Sequence, residues 1–167
     1  MKDSAFVCHY KSPIGDMTIA SDGVYITGLW FDGQKNFGTT LASKTTENSQ
    51  LKIFEETTTW LNNYFAGIRQ SQHPKIKYEG SDFREKVHCI LQTIPYGETM
   101  TYGQIADIIA RQDGKRMSAQ AVGNAVGHNP ISIIVPCHRV VGKKDKIVGY
   151  AGGVDKKIWL LELEKKQ

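Results

Sequence analysis

Cys137, His138 and Arg139 follow Pro136 directly, at the end of the run Ile131-Ser132-Ile133-Ile134-Val135. A cysteine attacks as its thiolate, and a free thiol is mostly neutral at pH 7. A neighbouring imidazole or guanidinium is therefore what a cysteine nucleophile needs. The β-branched run before Pro136 is poor material for a surface loop, so the sequence places Cys137 at the end of a rigid, buried segment. These features make Cys137 a candidate nucleophile.

Adjacency alone carries little weight, because Cys8-His9 and His88-Cys89 are also neighbouring pairs. Successive residues of a strand face opposite sides. Cys8 falls in an expected first strand, and Cys89 falls in an expected helix beside Ile90, so Cys89 is read as structural. A metal centre built from Cys8, His9, His73, His88, Cys89, Cys137 and His138 is the alternative. No C-x-x-C or H-x₃₋₅-H spacing supports it, and no metal is expected. No Gly-rich phosphate loop is present, and no cofactor is expected.

The elements that must position Cys137 fall into two parts, divided near residue 80. Residues 1–80 read as an α/β domain. Met17–Ala20 and Val24–Phe31 are strand-like around the turn Ser21-Asp22-Gly23. Residues 36–50, rich in Thr, Ser, Asn and Gly, read as a loop. A helix follows over 50–65, with Gly67 as its cap, and Ile76–Tyr78 reads as a further strand.

Residues 81–167 read as a mainly helical domain. Phe83, Val87, Ile90, Leu91 and Ile94 recur at helical spacing behind a capping-box pattern at Asp82 and Glu85, with Ser81 as another candidate cap. Pro95-Tyr96-Gly97 stops that helix. Thr101 and Gln104 form a second capping box, ahead of Ile105, Ile108 and Ile109. Asp113-Gly114 turns the chain, and Ser118 caps a third helix from Ala119 to about Gly127. A last helix over 155–164 presents Ile158, Trp159 and Leu161.

The third helix carries only small or modest side chains, among them Ala121, Gly123 and Ala125. It can lie very close to another surface. Two short helices joined by a Gly-containing loop suggest a helix-turn-helix, which would set this helix in a nucleic-acid groove. Tight packing inside a core is the alternative. Lys115 and Arg116 would suit phosphate contacts.

Composition sets the outer bounds. The chain has 167 residues, a formal charge of +4 and 40% hydrophobic residues, enough for a globular core. The whole charge excess lies in residues 81–167, with 13 Lys/Arg against 9 Asp/Glu. That fits a polyanionic partner, and equally a solvated mixed surface. No stretch approaches the ~20 apolar residues of a membrane span. Met1-Lys2-Asp3-Ser4 lacks the basic and apolar regions of an export signal. Three cysteines without a framework suggest free thiols in a reducing cytoplasm.

Pro136-Cys137-His138-Arg139-Val140 resembles the active-site signature of the O6-alkylguanine-DNA alkyltransferases. The resemblance extends over Ile94–Thr99, Thr101–Ala106, Ala121–Ala125, Asn129–Gly142, Gly149–Gly153 and Lys157–Glu162, in order. Residues 1–80 resemble the family loosely, through Ser12-Pro13-Ile14-Gly15 and the strands after it. The resemblance implies a ribonuclease-H-like α/β domain followed by a mainly α domain with a winged helix-turn-helix.

It also implies irreversible transfer of an alkyl group from O6 of guanine in double-stranded DNA to Cys137. Each molecule then acts once, as a monomer, on a base flipped out through the minor groove; O4-alkylthymine is left open as a second substrate. By resemblance, His138 takes the Cys137 proton through a water and Glu164 orients His138. Asn129 braces the Cys137 turn, and Tyr102 donates to the leaving guanine. Backbone groups of Cys137, Val140 and Ala151 read the guanine edge, and Tyr150 lines the pocket. Gly152-Gly153 permits close approach of backbone to base. Arg139 makes structural or phosphate-side contacts, with a buried ion pair as the alternative. Ala121 and Gly123 allow the groove helix to approach.

Two departures stand out. The family often has Arg in the groove helix where this chain has Gln120, with Arg116 one turn earlier. The zinc spacing that some members carry is absent around Cys8 and His9. Two other functions compete: a damage-binding module without chemistry, which would lack the thiol, and a cysteine hydrolase, which would need an oxyanion hole.

Overall fold

The computed structural model describes residues 4–166, and these fall into two units. Residues up to Tyr78 join Pro130–Ile134 in the first, while Glu79–Asn129 and Val135–Lys165 form the second. Met1, Lys2 and Asp3, on which the reading of the N-terminus rests, lie outside the described residues. Among the described residues no helix is long and apolar enough to cross a membrane.

The first unit is a four-stranded sheet with a helix. Strands β1 (Ser4–Ser12), β2 (Gly15–Ser21), β3 (Ile26–Phe31) and β4 (Lys44–Glu47) run in the order β3-β2-β1-β4. β1, β2 and β3 pair antiparallel, and β4 adds to β1 in parallel. The expected loop over 36–50 therefore holds a strand. All four β4 residues are exposed, so no in-and-out alternation marked it. β3 starts at Ile26 rather than Val24, because Asp22 Oδ1 accepts the N–H groups of Val24 and Tyr25 and holds both in the turn. The expected strand over 76–78 shrinks to one bridge, Ile76 to Ile26.

Trp30 is buried with its ring over Gly28, where an added Cβ would fall 2.0 Å from the indole. Helix α1 (Lys52–Phe65) packs on β1 and β2 through Ile53, Phe54, Leu61 and Tyr64. Thr57 tolerates that buried face because its hydroxyl donates to the Ile53 carbonyl at 2.7 Å. Residues Pro130–Ile134 meet β3 through Leu29, whose N–H donates to the Pro130 carbonyl at 2.8 Å and whose carbonyl accepts from Ser132 at 2.9 Å. The apolar run is buried as expected, yet it is a turn, with Ile133 at φ 69.

The second unit carries helices α2 (Asp82–Leu91), α3 (Tyr102–Asp113), α4 (Ala119–Gly127) and α5 (Val154–Lys165). Two short strands, β5 (Met100–Thr101) and β6 (Val140–Val141), pair in parallel. Ser81 caps α2 by accepting from Arg84, and Glu85 reaches back to the Gly80 N–H. Thr101 and Gln104 close a reciprocal capping box on α3, which Gly114 ends in the left-handed conformation. Ser118 caps α4. α3 and α4 thus form a helix-turn-helix whose loop spans residues 114–118. Cys89, read as structural, is exposed on α2.

Candidate active site

The site grows from two elements of the second unit. A single 3₁₀ turn carries Cys137, His138 and Arg139, all buried, between Pro136 and β6. α5 packs against this turn with the stripe Lys157, Leu160, Leu161 and Glu164. Those four residues sit at i, i+3, i+4 and i+7, one face of a helix. The apolar pattern puts Ile158, Trp159 and Leu161 on that face, and Leu161 is buried there. Ile158 is instead exposed, because two of the four stripe positions are charged and the apolar pattern alone misplaced the face.

Glu164 is the hub. Its carboxylate accepts from His138 Nε2 at 2.6 Å, from Arg139 Nε and Nη2 at 2.8 and 3.1 Å, and from the Gly97 N–H at 3.2 Å. Burial alone would raise its pKa. The hydrogen bonds from His138 and Arg139 and the charge of Arg139 prevail, and Glu164 stays ionised far below the usual carboxylate range. Arg139 Nη1 also donates to the Ile94 carbonyl at 2.6 Å. Arg139 therefore takes the buried-ion-pair alternative and not the phosphate side, because its donors are turned inward. The Glu164 contact places the His138 proton on Nε2 and leaves Nδ1 as the basic nitrogen. Burial lowers the His138 pKa, and Glu164 only partly restores it, so the imidazole rests neutral.

Cys137 sits in a contested field. Burial raises its pKa above the ordinary thiol value. Hydrogen bonding from Asn129, the charge of Lys157, the backbone amide and hydrogen bonding from Tyr150 all pull the other way. The resting group is a neutral thiol surrounded by groups that favour its anion. Asn129 also donates to the Val135 carbonyl at 2.9 Å, and the Cys137 N–H donates to that carbonyl at 2.8 Å. Asn129 thus braces the turn from one side and meets the sulfur from the other.

Sequence reasoning did not single out Lys157. It is fully buried, and its ammonium donates to the carbonyls of Val140 at 2.5 Å and Gly149 at 2.9 Å. It lies 5.8 Å from the centre of the Tyr102 ring, a cation–π distance. Burial brings its pKa down to about 8, and the nearby Cys137 holds it up. Its place on the α5 stripe was the available signal. Tyr102, the first residue of α3, has its pKa raised by burial and then by Cys137, so it stays protonated and able to donate.

Of the remaining residues, Gly123 of α4 lies against the Tyr102 ring, 3.7 Å from where a Cβ would stand. Gln120 and Arg116 are exposed, and Ala121 is half-buried. Tyr150 and Ala151 are half-buried in a turn closed by the Gly153 N–H on the Tyr150 carbonyl at 2.9 Å. Gly153 serves that turn with φ 108, and a Cβ there would strike Asp155. Among the described residues no cluster of three or more His, Cys, Asp or Glu is placed to hold a metal ion.

A buried thiol flanked by an imidazole–carboxylate pair, in the same unit as a helix-turn-helix with an uncharged second helix, defines a DNA-binding type of scaffold that carries a candidate nucleophile. Comparison with known proteins gives the family. Residues 82–166 match the DNA-binding domain of 6-O-methylguanine DNA methyltransferase, and residues 8–72 match its ribonuclease-like domain. A methylated-DNA–protein-cysteine methyltransferase of Mycobacterium tuberculosis is 45% identical over 160 residues, covering 94% of this chain and 92% of that protein. One from Methanosarcina acetivorans is 42% identical over 93% of this chain and 95% of its own. The crystal structure of Mycobacterium tuberculosis OGT in complex with DNA superposes with a TM-score of 0.83 at 42% identity, covering 98% of this chain and 93% of that one. The chain belongs to the 6-O-methylguanine DNA methyltransferase family, with a ribonuclease-like N-terminal domain and a DNA-binding C-terminal domain.

Proposed function

We propose that this protein repairs O6-alkylguanine in double-stranded DNA by moving the alkyl group onto Cys137, once per molecule. The observation that carries this reading is the buried Cys137 turn braced by Asn129 and backed by the His138–Glu164–Arg139 cluster. The reaction is a displacement at the alkyl carbon. The Cys137 sulfur forms the new S–C bond, the C–O6 bond breaks with its electron pair going to guanine, and guanine takes up one proton. His138 Nδ1, with Nε2 tied to Glu164, accepts the proton that Cys137 gives up, through a water. Tyr102 donates to the departing guanine. The thioether has no route back, so turnover ends at one equivalent.

Each control has a physical reason. A permanent thiolate in a buried site would be costly and reactive toward other electrophiles. Lys157, Asn129 and Tyr150 lower the barrier to forming it on demand. The target carbon is hidden in a duplex, so the base must leave the stack, and α4 is the element that enters the minor groove. Its exposed Gln120 fills the gap by hydrogen bonding, without charge or guanidinium stacking. Gln120→Arg is expected to tighten binding to duplex DNA by several-fold and to steepen its salt dependence by about one unit. Affinity and salt dependence equal to wild type would remove Gln120 from the interface. Free thiols at Cys8, Cys89 and Cys137 suit a monomer working in the reducing cytoplasm.

The direct test is a time course with duplex DNA carrying O6-methylguanine. A burst that ends at one methyl per protein supports the reading. Continued turnover would favour a cysteine hydrolase, and tight binding without transfer would favour a damage-recognition module.

A further inference from the structure

Only one face of α1 packs on the sheet. Glu55, Glu56, Thr59 and Trp60 follow Lys52 at +3, +4, +7 and +8, a stripe separate from the buried one that holds Ile53, Phe54 and Leu61. This outer stripe lines one wall of a pocket of about 490 Å³, and residues 70 and 72–74 line the other. Ligand sites commonly fall between about 300 and 1,000 Å³. Every lining residue belongs to the first unit, and none belongs to the Cys137 site.

The two walls are tied together. Trp60 Nε1 donates to the Gln72 carbonyl at 2.9 Å, and Gln70 Nε2 donates back to the Trp60 carbonyl at 3.0 Å. Just beyond Pro74, the Lys75 carbonyl and the Lys77 N–H bond to the backbone of Ile26 in β3 at 2.8 and 2.9 Å. The second wall is thus pinned to α1 at one end and to the sheet at the other. Trp60 is half-buried, with its ring nearly parallel to that of Tyr64 at 14° and 5.6 Å between centroids.

The groups left over define the ligand. The Trp60 N–H is committed, so the indole offers the pocket aromatic surface only. His73 Nδ1 donates to the Pro74 carbonyl at 2.7 Å, which leaves Nε2 as an acceptor. Among the described residues, the exposed Glu55 carboxylate takes part in no hydrogen bond or ion pair, and Glu56 has only Lys52, at 3.9 Å. Two carboxylates thus face one ammonium group. Such a pocket disfavours phosphate, DNA included, and suits a cation with several donors and a flat face. Guanidinium is that group, being planar, always charged, furnished with five N–H donors and prone to stack on aromatic rings. A lysine ammonium is compact and strongly hydrated, and exploits the indole less well.

We propose that this pocket docks an arginine side chain carried on an exposed, extended segment of a partner protein. The guanidinium lies against Trp60, pairs with Glu55 and donates to His73 Nε2. The volume exceeds one side chain, so the peptide on either side is held as well. Docking here is independent of alkyl transfer at Cys137.

The test titrates the full chain with three peptides, acetyl-Gly-Arg-Gly-amide and its lysine and citrulline counterparts. The readout is the indole N–H resonance of Trp60, assigned by its absence from Trp60→Phe. The arginine peptide is expected to shift it saturably, with a dissociation constant on the order of 1 mM, while the Trp30 and Trp159 indole signals stay in place. Citrulline keeps the shape without the charge and should bind at least about tenfold more weakly, and lysine at least about threefold. Glu55→Gln should weaken the arginine peptide about two- to fivefold, and Glu55→Gln with Glu56→Gln about tenfold. No saturable shift of Trp60 by about 20 mM peptide overturns the proposal. Equal binding of the citrulline or lysine peptide overturns it too, as does unchanged affinity in the double variant. The peptide comparison uses wild type alone, so it stands whatever the variants do to folding. Methyl transfer by the double variant should match wild type, and absence of transfer by wild type with peptide binding intact would strike the repair reading alone.

Discussion

Cys8-His9 and Cys137-His138 are the same dipeptide, and in both the histidine meets a glutamate. His9 Nε2 lies 2.9 Å from Glu47, and His138 Nε2 lies 2.6 Å from Glu164. The surroundings differ completely. Cys8 is in β1, where the pleat buries the thiol and turns His9 out to solvent beside an exposed Glu47. Burial then acts alone and pushes the Cys8 thiol up to about 11. Cys137 is in a 3₁₀ turn, where thiol, imidazole and guanidinium are all buried, and Lys157, Asn129 and Tyr150 oppose the burial. The lesson is that a nucleophile is made by convergent stabilising groups, and a sequence neighbour is neither enough nor required to be one of them.

The comparison can be broken most decisively at the sulfur. Cys137→Ala is expected to abolish methyl transfer while the variant still binds DNA, whereas Cys8→Ala should transfer at a rate within about twofold of wild type. Single-turnover assays on both decide it, and loss of transfer in Cys8→Ala alone would invert the assignment.

Next comes the pair of glutamates. Glu164→Gln weakens the base and leaves Arg139 buried without its anion. Transfer should slow by about 10²-fold or more, and stability should fall by about 3–5 kcal/mol. Glu47→Gln removes an exposed partner and should change neither measurably. Quench-flow rates and denaturant unfolding of the two variants check both halves.

Lys157→Met sharpens the electrostatic part of the contrast. Removing the charge should raise the Cys137 pKa and slow transfer roughly tenfold, about 1.4 kcal/mol of barrier. The pH profile of Cys137 alkylation by iodoacetamide should shift to higher pH while that of Cys8 stays where it is. An unshifted Cys137 profile would make Lys157 purely structural.

A smaller effect separates the histidines. His88 of α2 is buried, and burial lowers its pKa from 6.5 to about 4. The unfolded chain then binds more protons between those values, so the contribution is intact above pH 6.5 and is lost as pH falls toward 4. The loss is about 3 kcal/mol. Equilibrium unfolding across this range should show a drop that His88→Phe flattens and His9→Phe leaves in place.

Much of the second unit was legible in the sequence. Thr101-x-x-Gln104 and Ser118 act locally, so their caps could be read directly and they appear in the structure. Pro136 and the β-branched run marked the candidate nucleophile because they enforce burial. β4 was not legible, since its residues face solvent on both sides and only pairing with β1 makes them a strand. Lys157 was hidden for the opposite reason. It lies among the charges of 155–157, and only the i, i+3, i+4, i+7 stripe it shares with Glu164 reveals that it turns inward. Arg139 was ambiguous until Glu164 and the Ile94 carbonyl, far away in sequence, were seen to take its donors.

The central claim concerns one sulfur atom, and mass spectrometry reads it directly. Protein incubated with duplex DNA containing O6-methylguanine should gain the mass of one methylene. Peptide mapping should place it on Cys137, with an equal amount of guanine restored in the DNA. An unmodified Cys137, or a methyl group found on Cys8 or Cys89, would contradict the account.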